Sequence, residues 1–528
     1  MDFAAAGGVA VVAVLLVCLM SAARPTEGVG ASALPAGRRV EWRAGVEGGV
    51  PDVPVVLDLS AYGPAADGET DDAPVFRKAL ADLPTPGALH VPPGTYRLRS
   101  GLNLRSGVVL RGAGAGRTHL LFDLPEPGYG TALSVRGRAE GEGDARPILG
   151  GARAGSRELE LASVQGLEPG TTVWVFQEND PERLYTRPEW DVEWARHSMG
   201  QMVRVEGVAG RRVRIDVPLR LTYEEEFRPR LLAVQPVTGV GIEGLHIRRL
   251  DQRDGYIVSL REAVDCWVRD CELDHACSAH VAGSRSRFVT VSGCYIHHAW
   301  NYGGGGHGYG VSLSRSATDW LVTDNIFRHL RHSMIVQCGA NGNVFSYNYS
   351  FEHQMCDISV HGHYAYMNLF EGNVVQQPFV GDHWGPAGPL NTFLRNRVEA
   401  QPHRAYGAIH VRDSSHRTTV LGNTVLRGAI RVQDDSKDCF VGANLVQGRL
   451  EWGDVPAGLP LPASLYLSGP PESWGARPWP AVGADVDLAT GEALATGEAL
   501  ATGEARAAGE ALAAIPAQDR AEALPAAE

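Results

Sequence analysis

The sequence predicts an all-β fold, a single-stranded parallel β-helix in which one core grows by repetition. The chain has 528 residues, whereas one compact core stops growing near ~250–300 residues. A short segment recurs at intervals of 21 to 31 residues between positions 271 and 444, and such a period is typical of solenoids. Each repeat contains short β-like runs and no helical pattern, so each repeat is interpreted as one coil of a β-helix.

One column of the repeat is marked by asparagine. In chain order it holds Cys271, Cys294, Asn325, Asn348, Asn373, Asn396, Asn423 and Asn444. Asparagine tolerates the left-handed backbone angles of a tight turn. Its amide can also donate to one neighbouring coil and accept from the other. The column therefore predicts a buried asparagine ladder that starts with two small apolar rungs.

The first 23 residues are interpreted as a secretory signal peptide or an anchor. An uncharged apolar run extends from Phe3 to Ala23 and ends in small residues, as signal peptides do. Asp2 is the only charge before it, so the usual positive n-region is missing and an uncleaved anchor stays open. We expect a secreted or cell-envelope protein, with no later segment apolar enough to span a bilayer.

The remaining chain divides by composition. Residues 24–54 are rich in glycine and proline and are expected to form a flexible linker, and residues 55–154 an N-terminal cap with the first coils. Alternating apolar and polar positions predict an inserted β subdomain over 155–236. The main β-helix is expected over 237–460. Residues 461–528 are Pro- and Ala-rich and repeat LATGEA, which predicts a disordered tail.

The segment around residues 55–121 carries two ordered elements, Y-G-x-x-x-D-G-x-T-D-D and P-P-G-T-Y. It resembles the N-terminal segment of the pectate-lyase-like superfamily, which includes rhamnogalacturonases and related epimerase-like domains. The resemblance implies a right-handed parallel β-helix with its substrate groove on an outer sheet face. It also implies that this segment forms the cap, so Asp71 and Asp72 are interpreted as structural residues at a helix start rather than as a catalytic pair.

Charge and cysteine content exclude several functions. With 48 basic and 61 acidic residues the net charge is −13, which argues against a nucleic-acid partner. Lys78 and Lys437 are the only lysines, and neither is on a candidate site, so a lysine base is excluded. Seven cysteines remain after Cys18, without paired C-x-x-C spacing, and are interpreted as small buried side chains rather than disulfides or zinc ligands. We expect a monomer.

The candidate site comes from aligning the segments ISVHGHY, VGDHWGP, AIHVRDS and AIRVQDD. If Ile358, Val380 and Ile409 point inward, His361, His383 and Arg412 form one outer column of strands ~4.8 Å apart. Together with Tyr364 they are the predicted catalytic residues. Neighbouring polar and aromatic side chains suit sugar rings, and the predicted substrate-binding residues are His363, His410, Trp384, His332, His307, Asp357 and Asp382.

His307 lies in an over-long glycine-rich turn, His298 to Tyr309, which is expected to overhang the same groove. The Gly306-His307-Gly308 triplet is similar to the G-H-G element of polygalacturonases. The N-T-D element of that family is absent, so the chain is not a close match to polygalacturonases, and their paired-carboxylate hydrolysis is not implied.

Two reactions on a sugar chain stay open. Hydrolysis needs two carboxyl groups across the scissile bond. β-Elimination of a uronate needs a base, a cation for the developing enolate and an acid. With histidine as base, Arg412 as cation and Tyr364 or a second histidine as acid, the residues favour a lyase of an acidic polysaccharide. A hydrolase, a uronate epimerase and a non-catalytic carbohydrate-binding or adhesion β-helix are the alternatives. Clustered histidines could hold a divalent metal, but no acidic cluster indicates calcium.

Overall fold

The computed structural model describes residues 33–125, 128–184, 187–399, 406–457, 459–470 and Trp479, all within one compact unit, 32–528. The expected leader, residues 1–23, lies outside these ranges and stays a prediction. In the described part of the chain, no helix is long and apolar enough to cross a membrane.

Three long sheets form the body of the molecule, and the chain visits them in a fixed order. The first sheet contains Val55–Asp58, Gly87–Val91, Val108–Gly112, Val237–Thr238, Gly241–Glu243, Ala263–Arg269, Arg287–Ser292, Leu321–Thr323, Val344–Ser346, Leu369–Glu371, Thr392–Leu394, Thr419–Leu421 and Phe440–Gly442. The second contains Asp67–Asp71, Gly94–Leu98, Thr118–Phe122, His246–Arg249, Glu272–Ala276, Tyr295–Ala299, Ile326–Arg328, Tyr349–Phe351, Val374–Val375, Arg397–Val398, Thr424–Val425, Asn444–Val446 and Arg449–Glu451.

The third sheet carries the candidate site. It contains Leu102–Leu104, Gly130–Arg136, Gly255–Arg261, Ala279–Ser284, Tyr309–Ser314, His332–Val336, Ile358–Val360, Pro378–Val380, Ile409–Val411 and Ile430–Val432. Apart from the last hairpin of the second sheet, which is antiparallel, the strands within each of these sheets pair in parallel, coil upon coil. Inward-facing Val, Ile, Leu and Phe side chains of all three sheets form one continuous core. The predicted all-β parallel β-helix is confirmed.

A helix closes the N-terminal end of the core. It spans Ala73–Asp82, and its buried face includes Phe76 and Leu80. The Asp71 carboxylate accepts the backbone N–H of Ala73, while Asp72 accepts those of Ala65 and Ala66. Both carboxylates therefore hold backbone in place. The other helices are short: Pro181–Leu184 is α-helical, and Ala36–Arg38, Leu59–Tyr62, Glu142–Asp144, Pro188–Trp190, Glu193–Ala195 and Glu225–Phe227 are 3-10 turns.

The asparagine ladder is present at the turn between the first and second sheets. Each Nδ2 donates to the Oδ1 of the next rung at 2.9–3.0 Å, from Asn325 through to Asn444. One expectation was wrong, because the left-handed residue is the one before each asparagine, such as Asp324, Tyr347 and Arg395. The asparagine itself is held by its amide bonds.

A second, shorter ladder was missed by the sequence analysis. Asn343, Asn368 and Asn391 are fully buried, and each Nδ2 donates to the next Oδ1 at 2.9–3.0 Å. They lie at the turn that leads into the first sheet, and Asn343 Oδ1 accepts the backbone N–H of Trp320. These three asparagines also recur at the repeat interval in the sequence, but the longer asparagine column is the more obvious pattern.

The inserted subdomain is an antiparallel sheet of seven strands, Arg138–Ala139, Arg146–Gly150, Glu158–Leu161, Thr172–Phe176, Gly200–Ala209, Arg212–Ile215 and Arg230–Gln235. It begins at residue 138 rather than at 155. Its own core includes Leu159, Val175 and Val203, and it also takes in Tyr364 and Tyr366 from the β-helix. The subdomain is therefore packed on the turns that follow the third sheet.

Two segments that were expected to be flexible are packed on the outer face of the first sheet. Trp42 is buried, and its Nε1 donates to the carbonyl oxygen of Met367 at 2.8 Å. Tyr466 packs in the same cluster and donates to the carbonyl oxygen of Ala44 at 2.8 Å. The expected linker, over residues 33–54, and the expected disordered tail, over residues 461–470, are thus wrong, because their scattered apolar residues cover an apolar sheet face. Apart from Trp479, the tail beyond residue 470 lies outside the described residues.

Glu371 ties the C-terminal segment to the first sheet and should make stability depend on pH. It is buried, and its carboxylate accepts Ser464 Oγ–H at 2.5 Å and the backbone N–H of Leu465 at 2.9 Å. Burial raises the pKa of Glu371 to about 7. The native state then binds more protons than the unfolded state between the usual glutamate pKa of about 4.3 and 7. Its stabilising contribution is complete below that window and is lost as the pH rises through 7.

We therefore expect the stability of the protein, relative to Glu371→Gln, to fall by on the order of 3 kcal/mol between pH 4 and pH 8. Urea unfolding midpoints of both proteins across this range measure the difference. Glu451→Gln, which changes an exposed glutamate on the strand Arg449–Glu451, serves as the matched control. A wild-type to Glu371→Gln difference that does not change with pH would contradict the assignment.

Candidate active site on the third sheet

The register of the third sheet differs from the predicted one by two residues in one coil. Val360 pairs with Val380, and Val380 with Val411. The residues after these strand ends are therefore His361, Gly381 and Arg412, so the predicted column is wrong at its middle position. A glycine stands where His383 was expected because the segment VGDHWGP is shifted by two residues: Pro378, not Val380, pairs with Ile358.

His361 and Asp382 form the central pair of the site. His361 Nε2 lies 3.0 Å from Asp382 Oδ2, and the two side chains are 11% and 21% exposed. Asp382 Oδ1 accepts the backbone N–H of Trp384 at 2.9 Å, which orients the carboxylate. The strand has ended at Val380, so Asp382 is not turned inward as strict alternation would require. The structure thus joins one predicted catalytic residue to one predicted binding residue.

The hydrogen bonds of His361 define what it can do. Nε2 donates to Asp382, and Nδ1 contacts the carbonyl oxygen of Gly362 at 2.8 Å. Two oxygen acceptors suit an imidazole that carries protons on both nitrogens. This is the state that a histidine base reaches after it has taken a proton, and Asp382 stabilises it. To take up that proton, Nδ1 has to leave the Gly362 carbonyl and face the substrate.

Aromatic rings surround this pair. The Trp194 ring packs edge-on against Trp384 with centroids 5.7 Å apart, and lies 6.4 Å from the ring of His361. His383 is exposed and packs against Trp384 at 4.9 Å. Trp194 belongs to the inserted subdomain, from which no site residue was predicted, and it is 38% exposed. The subdomain therefore supplies an exposed aromatic wall beside His361.

Cations lie on both sides of the central pair. Arg412 is partly exposed in the His361 column and pairs with Asp413. Toward the other edge of the sheet, Arg331 approaches the ring of Tyr309, with 5.9 Å from Cζ to the centroid. Burial raises the pKa of Tyr309 to about 12, and the negative charge of Asp382 adds to the rise. Tyr309 was missed because it follows the glycine-rich turn, where the repeat pattern is interrupted.

Three predicted site residues are buried away from any groove. Tyr364 was expected to be an exposed acid, but it packs in the core of the subdomain, and burial raises its pKa to about 12. His363 is fully buried and donates from Nε2 to the carbonyl oxygen of Trp190 at 2.9 Å. His332 donates from Nδ1 to the carbonyl oxygen of Cys356 at 2.8 Å. Burial lowers the pKa of His363 to about 4 and that of His332 to about 3.

Asp357 and His410 are structural in this arrangement. Asp357 is fully buried, and its carboxylate accepts backbone N–H groups of the next coil, including that of Gln377 at 2.7 Å. His410 lies on the outer face but is only 4% exposed, between the rings of Phe379 and Tyr406. Burial also lowers the pKa of His410. Neither residue has an exposed polar group to offer a substrate.

His307 was expected to overhang the same groove, and the structure places it elsewhere. Its Nε2 contacts Asp254 Oδ1 at 2.8 Å, and its Nδ1 donates to the carbonyl oxygen of Gly304 at 2.7 Å. Asp254 also accepts from the Cys277 thiol. The glycine-rich turn thus folds toward the coils before it, and it contacts Arg331 through its backbone: the carbonyl oxygen of Gly303 accepts from the guanidinium at 3.0 Å, and that of Gly308 accepts from the backbone N–H at 2.8 Å.

The fold is that of a parallel β-helix, and the N-terminal segment is similar to pectate-lyase-like proteins. Residues 57–124 match the family described as "Rhamnogalacturonase A/epimerase, pectate lyase-like". A stretch of 50 residues is 44% identical to the probable rhamnogalacturonase C of Aspergillus flavus, covering 10% of this chain and 11% of that protein. The predicted resemblance of the N-terminal segment to the pectate-lyase-like superfamily is confirmed.

Solved structures agree with the fold. Tailspike gp61 of Pseudomonas phage phi297 matches with a TM-score of 0.56 and 14% identity, over 71% of this chain and 64% of that one. Tailspike gp49 of Pseudomonas phage LKA1 matches with a TM-score of 0.56 and 16% identity, over 70% and 64%. The Gp54 tailspike of Acinetobacter baumannii bacteriophage AP22 matches with a TM-score of 0.50 and 12% identity, over 70% and 58%. The chain therefore spans less than two thirds of these structures.

Proposed function

We propose that this protein processes an acidic polysaccharide at the outer face of the third sheet, with the His361–Asp382 pair as the proton-transfer unit. The observation that carries the proposal is this pair, partly exposed, beside the rings of Trp194 and Trp384. Sugar rings have apolar faces that suit aromatic walls. Of the similar proteins, the AP22 tailspike is described in complex with a capsular saccharide, and the Aspergillus protein is named a rhamnogalacturonase.

β-Elimination is the reaction that these residues favour. His361 takes the proton from C5 of a uronate, the electron pair forms the C4=C5 double bond, and the C4–O4 bond breaks as the leaving oxygen takes a proton from water. Arg412 and Arg331 can attract the uronate carboxylate and stabilise the developing charge. In the described part of this face, Asp382 is hydrogen-bonded to His361 and Asp413 is paired with Arg412, which argues against two free carboxyl groups for hydrolysis.

Incubation with a panel of uronate-containing polysaccharides tests the proposal. The ultraviolet absorbance of the C4=C5 double bond should rise with time. New reducing ends without that absorbance would replace the lyase by a hydrolase. Incorporation of deuterium at C5 from heavy water, without cleavage, would indicate an epimerase. Saccharide binding without turnover, unchanged in His361→Ala, would leave a binding protein and overturn the enzymatic proposal.

Trp194 provides a test of the contribution of the subdomain to substrate binding. Trp194→Ala should raise KM by about tenfold, the equivalent of about 1.4 kcal/mol of lost binding, while kcat changes little. Trp194→Phe, which keeps an aromatic face, is the matched control and should retain most of the affinity. Steady-state kinetics on the best polymer measure both. A fall in kcat at constant KM would show instead that Trp194 positions His361.

A further inference from the structure

The outer face of the second sheet carries a histidine-rich cluster that the proposed function does not use. Its members lie on five consecutive coils and are His119, His246, Glu272, Asp274, His275, His297, His298 and His329. Paired strands bring His246 against Glu272, and Asp274 against His297. His298 follows in the left-handed turn position. The cluster was not predicted from the sequence because its members are spread over more than two hundred residues.

Three of these side chains converge on one point. His297 Nδ1 lies 2.8 Å from His298 Nδ1 and 3.4 Å from Asp274 Oδ1, and all three donor atoms lie within 4.8 Å of one another. Ligands of a tetrahedral first-row metal at about 2.0–2.2 Å stand roughly 3.3 Å apart. The spacing on this face is therefore close to that of a metal-binding triad before any rearrangement.

A second observation concerns the tautomer of His297. Its Nε2 contacts Glu272 Oε1 at 3.2 Å, so Nε2–H is donated to a carboxylate. In a neutral imidazole, Nδ1 then carries the lone pair, and that lone pair faces Asp274 and His298. A carboxylate behind a histidine is the usual outer-shell partner of a metal-ligating imidazole. Arg248 and His275 contact the same Asp274 carboxylate and fix its orientation.

We propose that Asp274, His297 and His298 form a binding site for a divalent first-row transition metal, with Zn²⁺ as the best fit. Two imidazole nitrogens and one carboxylate oxygen suit zinc and its neighbours, whereas Ca²⁺ and Mg²⁺ require mostly oxygen ligands. Three protein ligands leave a fourth position for water or another ligand. Bound there, the ion links two coils of the second sheet. The site is on a different face from the His361–Asp382 pair, so the inference does not rest on the proposed function.

Titration of the full chain with Zn²⁺ tests the site. Calorimetry or equilibrium dialysis of chelator-treated protein should show one Zn²⁺ per chain, with no comparable binding of Ca²⁺ or Mg²⁺. The thermal midpoint should rise with Zn²⁺ concentration, because the ion binds the folded state. Co²⁺ in place of Zn²⁺ should give a visible absorption band that reports nitrogen and oxygen ligands.

Variants separate ligation from folding. His298→Asn suits the left-handed turn and should weaken Zn²⁺ binding by at least tenfold, with the metal-free thermal midpoint unchanged. Glu272→Gln should weaken it by about 10- to 100-fold through the orientation of His297. His329→Asn is the matched control, since His329 has the same left-handed backbone one coil on and stacks on His298 at 5.1 Å, and it should bind Zn²⁺ normally.

Three results would overturn the assignment. Absence of stoichiometric Zn²⁺ or Co²⁺ binding would show that the cluster is a polar network, in which His297 contacts the two carboxylates without a metal. Zn²⁺ binding that survives His298→Asn but is lost in Cys277→Ser would transfer the site to Asp254, Cys277 and His307, whose donor atoms also lie within 4.8 Å of one another. Preferential Ca²⁺ binding would refute the donor chemistry.

Discussion

Replacing His361 by alanine is expected to lower kcat on the polysaccharide substrate by about 10²- to 10⁴-fold, the usual contribution of a general acid or base. The imidazole is partly exposed at the centre of the third-sheet face, and its Nε2 lies 3.0 Å from Asp382 Oδ2. KM should change much less, because the tryptophans and arginines beside it remain. The initial rate of double-bond formation measures the effect.

Two further variants distinguish the observed register from the predicted one. If His361, His383 and Arg412 formed one column, His383→Ala would be as damaging as His361→Ala. In the structure His383 is exposed on the turn beyond Gly381 and packs on Trp384, so its loss should reduce kcat by less than about tenfold. Asp382→Asn should be intermediate, because it keeps the turn but removes the charge that stabilises protonated His361.

These kinetic results need unchanged folding to be interpretable. His361 and Asp382 lie in turns after strand ends, outside the core, so their variants should keep the wild-type thermal midpoint within a few degrees. A His361→Ala protein that is folded and retains full turnover would refute the role of the pair. Equal losses in His361→Ala and His383→Ala would instead support the register that the sequence predicted.

Asn373→Ala is expected to lower the free energy of unfolding by about 3–5 kcal/mol, among the largest effects of any single substitution in this chain. Asn373 donates to the carbonyl oxygen of Phe345 and to Asn396 Oδ1, and accepts from the backbone and side chain of Asn348. All of these groups are buried. Alanine removes all four bonds, at about 1–3 kcal/mol for each buried group left unpaired, although Asn396 Oδ1 keeps the backbone N–H of residue 373 and Asn348 Nδ2 keeps the carbonyl oxygen of Val322.

The control for the ladder is an asparagine outside it. Asn103 points outward and is exposed in the strand Leu102–Leu104, so Asn103→Ala should change stability by less than about 0.5 kcal/mol. Denaturant midpoints with the far-ultraviolet circular dichroism spectrum as probe compare the two variants. If Asn373→Ala were as stable as Asn103→Ala, the ladder would mark the repeat without stabilising it.

The sequence predicted correctly those features that depend on short-range interactions repeated in every coil. Asn325 to Asn444 recur in each coil because every coil needs the same amide at the same turn. The positions at which the strands of the third sheet end were harder to predict. His361 was placed on the outer face correctly, but His383 was not, because turn lengths vary from coil to coil and a shift of two residues preserves the inward and outward alternation.

Burial was the second source of error in the site. Tyr364, His363 and His332 have residue types that suit catalysis, yet they are covered by the inserted subdomain or by neighbouring coils. No local pattern reveals that residues 138–235 fold back onto turns more than a hundred residues later. Trp194 was missed for the same reason, since it becomes part of the site only through that contact.

The sequence by itself therefore determined the fold class, the ladder, and the structural role of Asp71 and Asp72, because these depend on composition and on spacing within one repeat. The tertiary structure decided which polar side chains remain exposed and which pairs meet. It brings the side-chain atoms of His361 and Asp382 into contact, and likewise those of His297, His298 and Asp274. Those contacts arise from the stacking of coils, whose register is set by turn lengths and packing across the whole helix.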